Sequence, residues 1–112
     1  MLDRPEGSSD AILVSVDFGD TGYEESLEEL KQLAISAGIS IRGVVEGKRD
    51  KPDAKYFIGS GKAEELAEMV KATESRAVVF NHDLSPSQQR NLERHMGLAV
   101  NDRTLLILEI FA

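Results

Sequence analysis

Gly59-Ser60-Gly61-Lys62 is the stretch whose residue types and spacing most suggest chemistry, because a glycine turn followed by lysine is a common cradle for phosphate. A Walker A loop reads G-x-x-x-x-G-K-[ST]. Its backbone N–H groups wrap the phosphates and its hydroxyl holds Mg²⁺. Counted back from Gly61, the first glycine falls on Tyr56, and the hydroxyl position after Lys62 is Ala63. Both requirements fail, so this is not a P-loop. What remains is a glycine turn before a helix start, where free N–H groups and the helix dipole favour an anion. Lys55 and Lys62 add positive charge, and Tyr56 and Phe57 add aromatic faces. A phosphate of RNA or of a nucleotide fits that chemistry. The same turn would serve equally as a tight connection that needs glycine for its backbone angles.

Other groups offer less. His82 sits in a turn beside Asp83 and His95 near a helix end, too far apart in sequence to suggest a metal site. Asp17, Glu46, Asp83 and Asp102 each follow an expected strand, where open α/β sheets bind ligands. An acidic Mg²⁺ site would want adjacent acids after the first strand, yet Asp17 is followed by Phe18, and Phe80 by Asn81. Turn and capping roles explain these carboxylates more simply. No G-x-S-x-G elbow is present, and Ser85 is needed as a helix cap, so nucleophilic catalysis is not expected. Arg90 and Arg94 are four apart and share a helix face that could touch phosphate, although Arg90 could instead pair with Glu93 or Glu64.

The elements that would position these groups follow from pattern. The 112 residues suit a single domain, with 41% hydrophobic residues and no tryptophan, so the core must be aliphatic. There is no cysteine, which excludes disulfides and thiolate metal sites. Met1–Asp10 reads as a flexible leader without a signal sequence, and no stretch approaches a membrane span. A cytoplasmic location is the default expectation. Ala11–Val16 reads as a buried strand. Thr21 and Glu24 fit a capping box for a helix that buries Leu27, Leu30, Leu33, Ala34 and Ala37 and ends at Gly38. Ile39–Glu46 reads as a strand, Gly47–Ala54 as a loop, and Lys55–Ile58 as a short strand or extended edge. A helix is expected from about Lys62 to Lys71, a strand at Ala77–Phe80, a helix capped by Ser85 with Pro86 and Gln88 and ending at Gly97, and a short strand at Leu98–Val100. This alternation predicts an α/β fold, a small, mostly parallel sheet of about four strands flanked by helices, over residues 11–112.

Charge is unevenly spread. The net charge is −7, but residues 1–41 carry −7, residues 42–62 carry +3 and residues 63–112 carry −3. An anionic partner would choose the middle segment. Leu105–Ala112 is apolar except for Glu109, which leaves a helix there with one side uncovered. The expectation is that the natural polypeptide continues beyond it.

Several ordered blocks resemble the N-terminal domain of the HflX family of translational GTPases. They are Glu24-Glu25-Ser26-Leu27-Glu28-Glu29-Leu30, then Tyr56-Phe57-Ile58-Gly59-Ser60-Gly61-Lys62 with Glu65-Leu66, then Leu84-Ser85-Pro86-Ser87-Gln88-Gln89-Arg90-Asn91-Leu92-Glu93, and finally Asp102-Arg103-Thr104 running to Ile110-Phe111-Ala112. The Ser-Pro-Ser-Gln-Gln-Arg-Asn-Leu block is the most specific. Phe57 stands where the family often has Ile, and Asn101 where it often has a hydrophobic residue.

The resemblance implies a domain that precedes a helical linker and a G domain with a true P-loop, in proteins that bind the large ribosomal subunit and split stalled or idle ribosomes. It implies GTP and Mg²⁺ for that G domain and no cofactor for these residues. The expected partners are large-subunit RNA and the protein's own linker and GTPase domain. Arg49, Lys51, Lys55, Lys62, Arg90 and Arg94 are the candidate phosphate contacts, Tyr56 a stacking face, and Gly59, Ser60 and Gly61 the turn that lets backbone approach closely. Two alternatives stay open. ATP could bind the glycine turn and drive RNA remodelling, or the domain could restrain the GTPase domain.

Overall fold

The computed structural model describes residues 10–104. The expected leader, apart from Asp10, and the segment Leu105–Ala112 lie outside the described residues. In chain order the elements are β1 (Asp10–Asp17), α1 (Tyr23–Ser36), β2 (Ser40–Lys48), α2 (Ser60–Thr73), β3 (Ala77–Phe80), α3 (Pro86–Met96) and β4 (Ala99–Asn101).

The four strands form one sheet in the order β2-β1-β3-β4, and every neighbouring pair is parallel. The expected α/β fold is therefore present. β1 is paired on both edges and covered on both faces, which is why it reads as the unbroken apolar run Ala11–Val16. Its register with β2 shifts between Ala11 and Ile12. Parallel connections cross over in a right-handed sense, so reversing the direction of travel across the sheet moves a helix to the opposite face. α1 leads outward from β1 to β2, whereas α2 and α3 lead the other way. Accordingly, Leu30 and Ala34 of α1 pack with Ala11, Leu13 and Val79 on one face. Ala63, Leu66 and Val70 of α2 and Leu92 of α3 pack with Ile12, Val14, Val78, Phe80 and Val100 on the other.

Helix ends show where local chemistry governs. Ser85 accepts from the Gln88 N–H at 3.1 Å while the Gln88 side chain accepts from the Ser85 N–H at 3.0 Å, the capping box expected for α3. The expected box at α1 does not form. Its N-cap is Gly22, left-handed at φ 85°, and no side chain caps it. That glycine conformation turns the chain straight into the helix, so Thr21 sits one residue too early to cap. Glu24 and Glu25 in the first turn still complement the dipole. α2 starts at Ser60, two residues before the expected Lys62, because Gly59 supplies the turn.

Candidate nucleic-acid interface

The basic segment becomes a compact loop between β2 and α2. Lys55–Ile58 is not an extended strand. Asp53 and Phe57 exchange backbone hydrogen bonds (2.9 and 3.0 Å) across a tight turn. The Asp53 carboxylate accepts from the N–H groups of Tyr56 (2.9 Å) and Lys55 (3.0 Å). The Tyr56 N–H, then the Lys55 N–H and the charges of Arg49 and Lys55, hold that carboxyl below its usual range against a smaller opposing effect of burial. This side-chain turn is what an Asp two residues before Lys55 does best, and it outcompetes strand pairing. Phe57 takes a left-handed φ of 71°, a strained choice for an aromatic residue that burial of its ring holds in place.

Two residues of α3 brace this turn by its backbone. Gln88 Nε2 donates to the Asp53 carbonyl at 2.8 Å, and Asn91 Nδ2 donates to the Lys55 carbonyl at 3.2 Å. Gln89 meanwhile donates to the Val100 carbonyl at 2.8 Å and Leu92 is fully buried. The Gln-Gln-Arg-Asn-Leu block is thus largely a positioning device. Arg90, within it, and Arg94, one turn on, remain exposed. The partners considered for Arg90 are engaged elsewhere: Glu93 accepts from the Val100 N–H at 3.1 Å, and Glu64 lies 3.5 Å from His95 Nε2.

The candidate residues therefore divide. Lys51 and Lys55 are exposed on the braced turn, with Lys55 Nζ 5.1 Å from the centre of the Tyr56 ring. Tyr56 is half-buried and its ring lies 5.1 Å from that of His95. Arg49 is turned inward: its N–H donates to the Asp17 carbonyl at 3.1 Å and its Nε to the Lys51 carbonyl at 3.0 Å. Its guanidinium fills the space over Gly59, where a Cβ would come within 2.6 Å of Nη1. With φ 84° as well, Gly59 is required twice over. Lys62 is ion-paired with Glu65 at 3.1 Å, and its methylenes lie over Gly47. Ser60 and Gly61 are exposed in the first turn of α2.

A second polar cluster lies at the carboxyl ends of β1 and β3, where the strand order changes direction. A crevice of about 260 Å³ opens there, lined in part by Asp17, Tyr23, Ser26, Asn81 and His82. Buried Asn81 donates to Ser15 Oγ (3.2 Å) and Ser26 Oγ (3.0 Å). Arg103 donates to Asn81 Oδ1 (2.8 Å), Ser26 Oγ (3.0 Å) and Glu29 Oε1 (2.7 Å). His82 Nε2 accepts the Val16 N–H at 2.9 Å and so continues the β1–β3 ladder with a side chain. Burial, helped by the Arg103 charge and opposed by Asp83, pushes its pKa down, consistent with a neutral, accepting ring. The ring stacks on Phe57 at 5.0 Å.

The four carboxylates that follow strands take the simpler roles. Asp17 accepts from the Gly19 N–H at 2.8 Å, Glu46 from the Tyr23 hydroxyl at 2.6 Å, Asp83 from the Thr104 hydroxyl at 2.7 Å and Asp102 from the Leu84 N–H at 3.3 Å. Burial, and then the bond to Glu46, pushes the Tyr23 hydroxyl up to about 12. Among the described residues no group of three or more His, Asp or Glu side chains could hold a metal ion. Sequence reasoning missed Arg103 and the ladder role of His82. A polar Ser15 inside an apolar strand was the available signal.

Residues 24–112 match the model of the family described as GTP-binding GTPase N-terminal. The chain belongs to this family. It is 48% identical over 112 residues to GTPase HflX of Escherichia coli strain K12, covering all of this chain and 26% of that protein. It is 43% identical over 93 residues to GTPase HflX of Alkalihalophilus pseudofirmus, covering 83% of this chain and 22% of the relative. The resemblance to HflX N-terminal domains thus holds, and the chain spans about a quarter of these relatives' length. Its fold is shared with a GTP-binding protein from the archaeon Sulfolobus solfataricus in complex with GDP, with a TM-score of 0.70 at 24% identity over 92% of this chain and 30% of that one. A structure of SsGBP with GDP gives a TM-score of 0.71 at 23% identity, covering 91% of this chain and 28% of that one.

Proposed function

We propose that this domain is the RNA-facing module of an HflX-type GTPase, docking the polypeptide on large-subunit ribosomal RNA in the cytoplasm so that a following G domain can drive ribosome splitting or rescue. One observation carries the reading: a basic turn whose backbone is bonded to α3, leaving Lys51 and Lys55 outward in a domain that is otherwise acidic. A surface pre-organised in this way loses little entropy on meeting a phosphate backbone. Arg90 and Arg94 extend the basic surface along α3, and Lys62 joins it when Glu65 is displaced. Arg49 supports the turn from beneath. GTP and Mg²⁺ would be bound by the G domain of the full-length polypeptide, since Gly59-Ser60-Gly61-Lys62 lacks both the first glycine and the hydroxyl of a Walker A loop.

The test is charge reversal in the full-length polypeptide. Lys55→Glu with Lys62→Glu should weaken co-sedimentation with large subunits by at least about tenfold and flatten its salt dependence, which reports released counterions. Unchanged binding and an unchanged salt slope would remove the assignment.

A further inference from the structure

In the order β2-β1-β3-β4, β2 is an edge strand, and it is nine residues long. Backbone groups along a strand point alternately to either side. The Arg49 N–H donates to the Asp17 carbonyl, and Asp17 pairs with Lys48, so Gly47 and Val45 also turn their N–H and C=O groups toward β1. Val44, Glu46 and Lys48 turn theirs outward. Among the described residues no group bonds to that outward row. Such a row is a template for a further strand.

The flank beside this edge is apolar. Ala34 of α1 faces the sheet, and Leu33 and Ile35 project about 100° to either side of it. Leu33 and Arg103 border the same groove, and Arg103 is bonded to Asn81 just beyond β3. Ile35 therefore points to the β2 side. It is the one large hydrophobic side chain exposed among the described residues, at 57%. Ile39, Ile41 and Val44, all partly buried, belong to the same face.

We propose that β2 is a self-association edge, on which a second copy of this chain pairs antiparallel about a twofold axis at Val44. Val44 is the midpoint of Ser40–Lys48, so this register overlaps the whole strand. Its outward backbone makes the central pair reciprocal, each Val44 N–H donating to the Val44 carbonyl of the other copy. Charge selects the same register. It sets Arg42 opposite Glu46 of the other copy, twice by symmetry, and both side chains are exposed. A twofold at Val45 would set Arg42 against Lys48, and one at Glu46 would set Glu46 against itself. One at Gly47 would overlap only residues 46–48 of the strand. Charges on an edge discourage indiscriminate pairing, and these leave one register matched. The other edge strand, β4, has three residues and offers no comparable length. The basic turns leave opposite ends of the shared edge, about 30 Å apart, so self-association leaves both of them open.

Sedimentation equilibrium of the 112-residue chain from about 10 µM to about 1 mM, a range suited to a small interface, should show monomers and dimers. As concentration rises, amide exchange at Val44 and Glu46 should slow by more than at Val45 and Gly47, which β1 already protects. Arg42→Glu or Glu46→Arg alone should weaken association about tenfold, and the two together should restore it. The amide shifts of β1, kept in all three variants, report an intact fold. The double variant rebuilds neither the Arg42–Asp10 pair (3.7 Å) nor the Tyr23–Glu46 bond, so recovery reports contact between copies. Three results would each overturn the proposal: a chain that stays monomeric throughout the range, no greater slowing at Val44 and Glu46 than at Val45 and Gly47, or a double variant that associates no better than the single ones.

Discussion

At the carboxyl ends of β1 and β3, Ser15, Ser26, Asn81 and Arg103 direct their polar atoms at one another. In the turn between β2 and α2, the bracing bonds run to backbone carbonyls and the lysines are left outward. The first cluster occupies the place where parallel sheets usually receive ligands, yet its side chains are already committed to holding strands, α1 and the outgoing chain together. The second has no usual claim to be a site, but its rigidity is supplied by Asp53, Arg49, Gln88 and Asn91 without using the charges of Lys51 and Lys55. A polar cluster is thus better judged by what its side chains have left to offer than by where it sits in the fold.

The contrast can be broken at its strongest point with Asn81→Ala. That change strips the Ser15 and Ser26 hydroxyls of a donor and Arg103 of an acceptor inside a buried site, and should lower unfolding free energy in urea by about 2–3 kcal/mol. A loss below about 0.5 kcal/mol would mean that water replaces the network. His82→Leu should cost about 1–3 kcal/mol by orphaning the Val16 N–H. The same residue predicts a pH dependence. A histidine whose folded pKa is depressed contributes stability that is complete above its ordinary 6.5 and is lost as pH falls below that value, because the unfolded chain then takes up the proton more readily. Thermal scans between pH 7.5 and 5.5 should show a decline that His82→Leu removes.

The basic turn should behave differently. Gln88→Ala or Asn91→Ala should cost only about 1 kcal/mol in global stability, while amide exchange around Tyr56 and Phe57 accelerates. In the full-length protein these variants should weaken large-subunit binding with every charge intact. Smallest in stability is Lys51→Ala, expected within about 0.5 kcal/mol of the parent. Its effect should appear in the salt slope of RNA binding, reduced by about one. If Lys51→Ala destabilised the fold as much as Gln88→Ala, the division between bracing backbone and spare charge would fail.

Much of the architecture was legible because it rests on local periodicity and glycine placement. The run Ala11–Val16, the Ser85-Pro86-Gln88 start and the Gly38 and Gly97 stops all act within a few residues of themselves. The helix starts at α1 and α2 were displaced by a residue or two because Gly22 and Gly59, not a hydroxyl, set the entry. The candidate site was legible only in part. Its basic composition could be read directly, but the inward turn of Arg49 depends on the empty space over Gly59, and the bracing by Gln88 and Asn91 spans 35 and 36 residues. The Asn81–Arg103 bond spans 22 residues and has no periodic signature.

The strand order has a consequence for how the chain is made. β1 emerges first and becomes an interior strand, β2 adds on one side of it, β3 on the other, and β4 beside β3. Each later strand thus docks on an edge that is already open, and none must be inserted between strands that have paired. Vectorial synthesis can therefore build this sheet in the order in which its segments leave the exit tunnel, with few wrong pairings to undo.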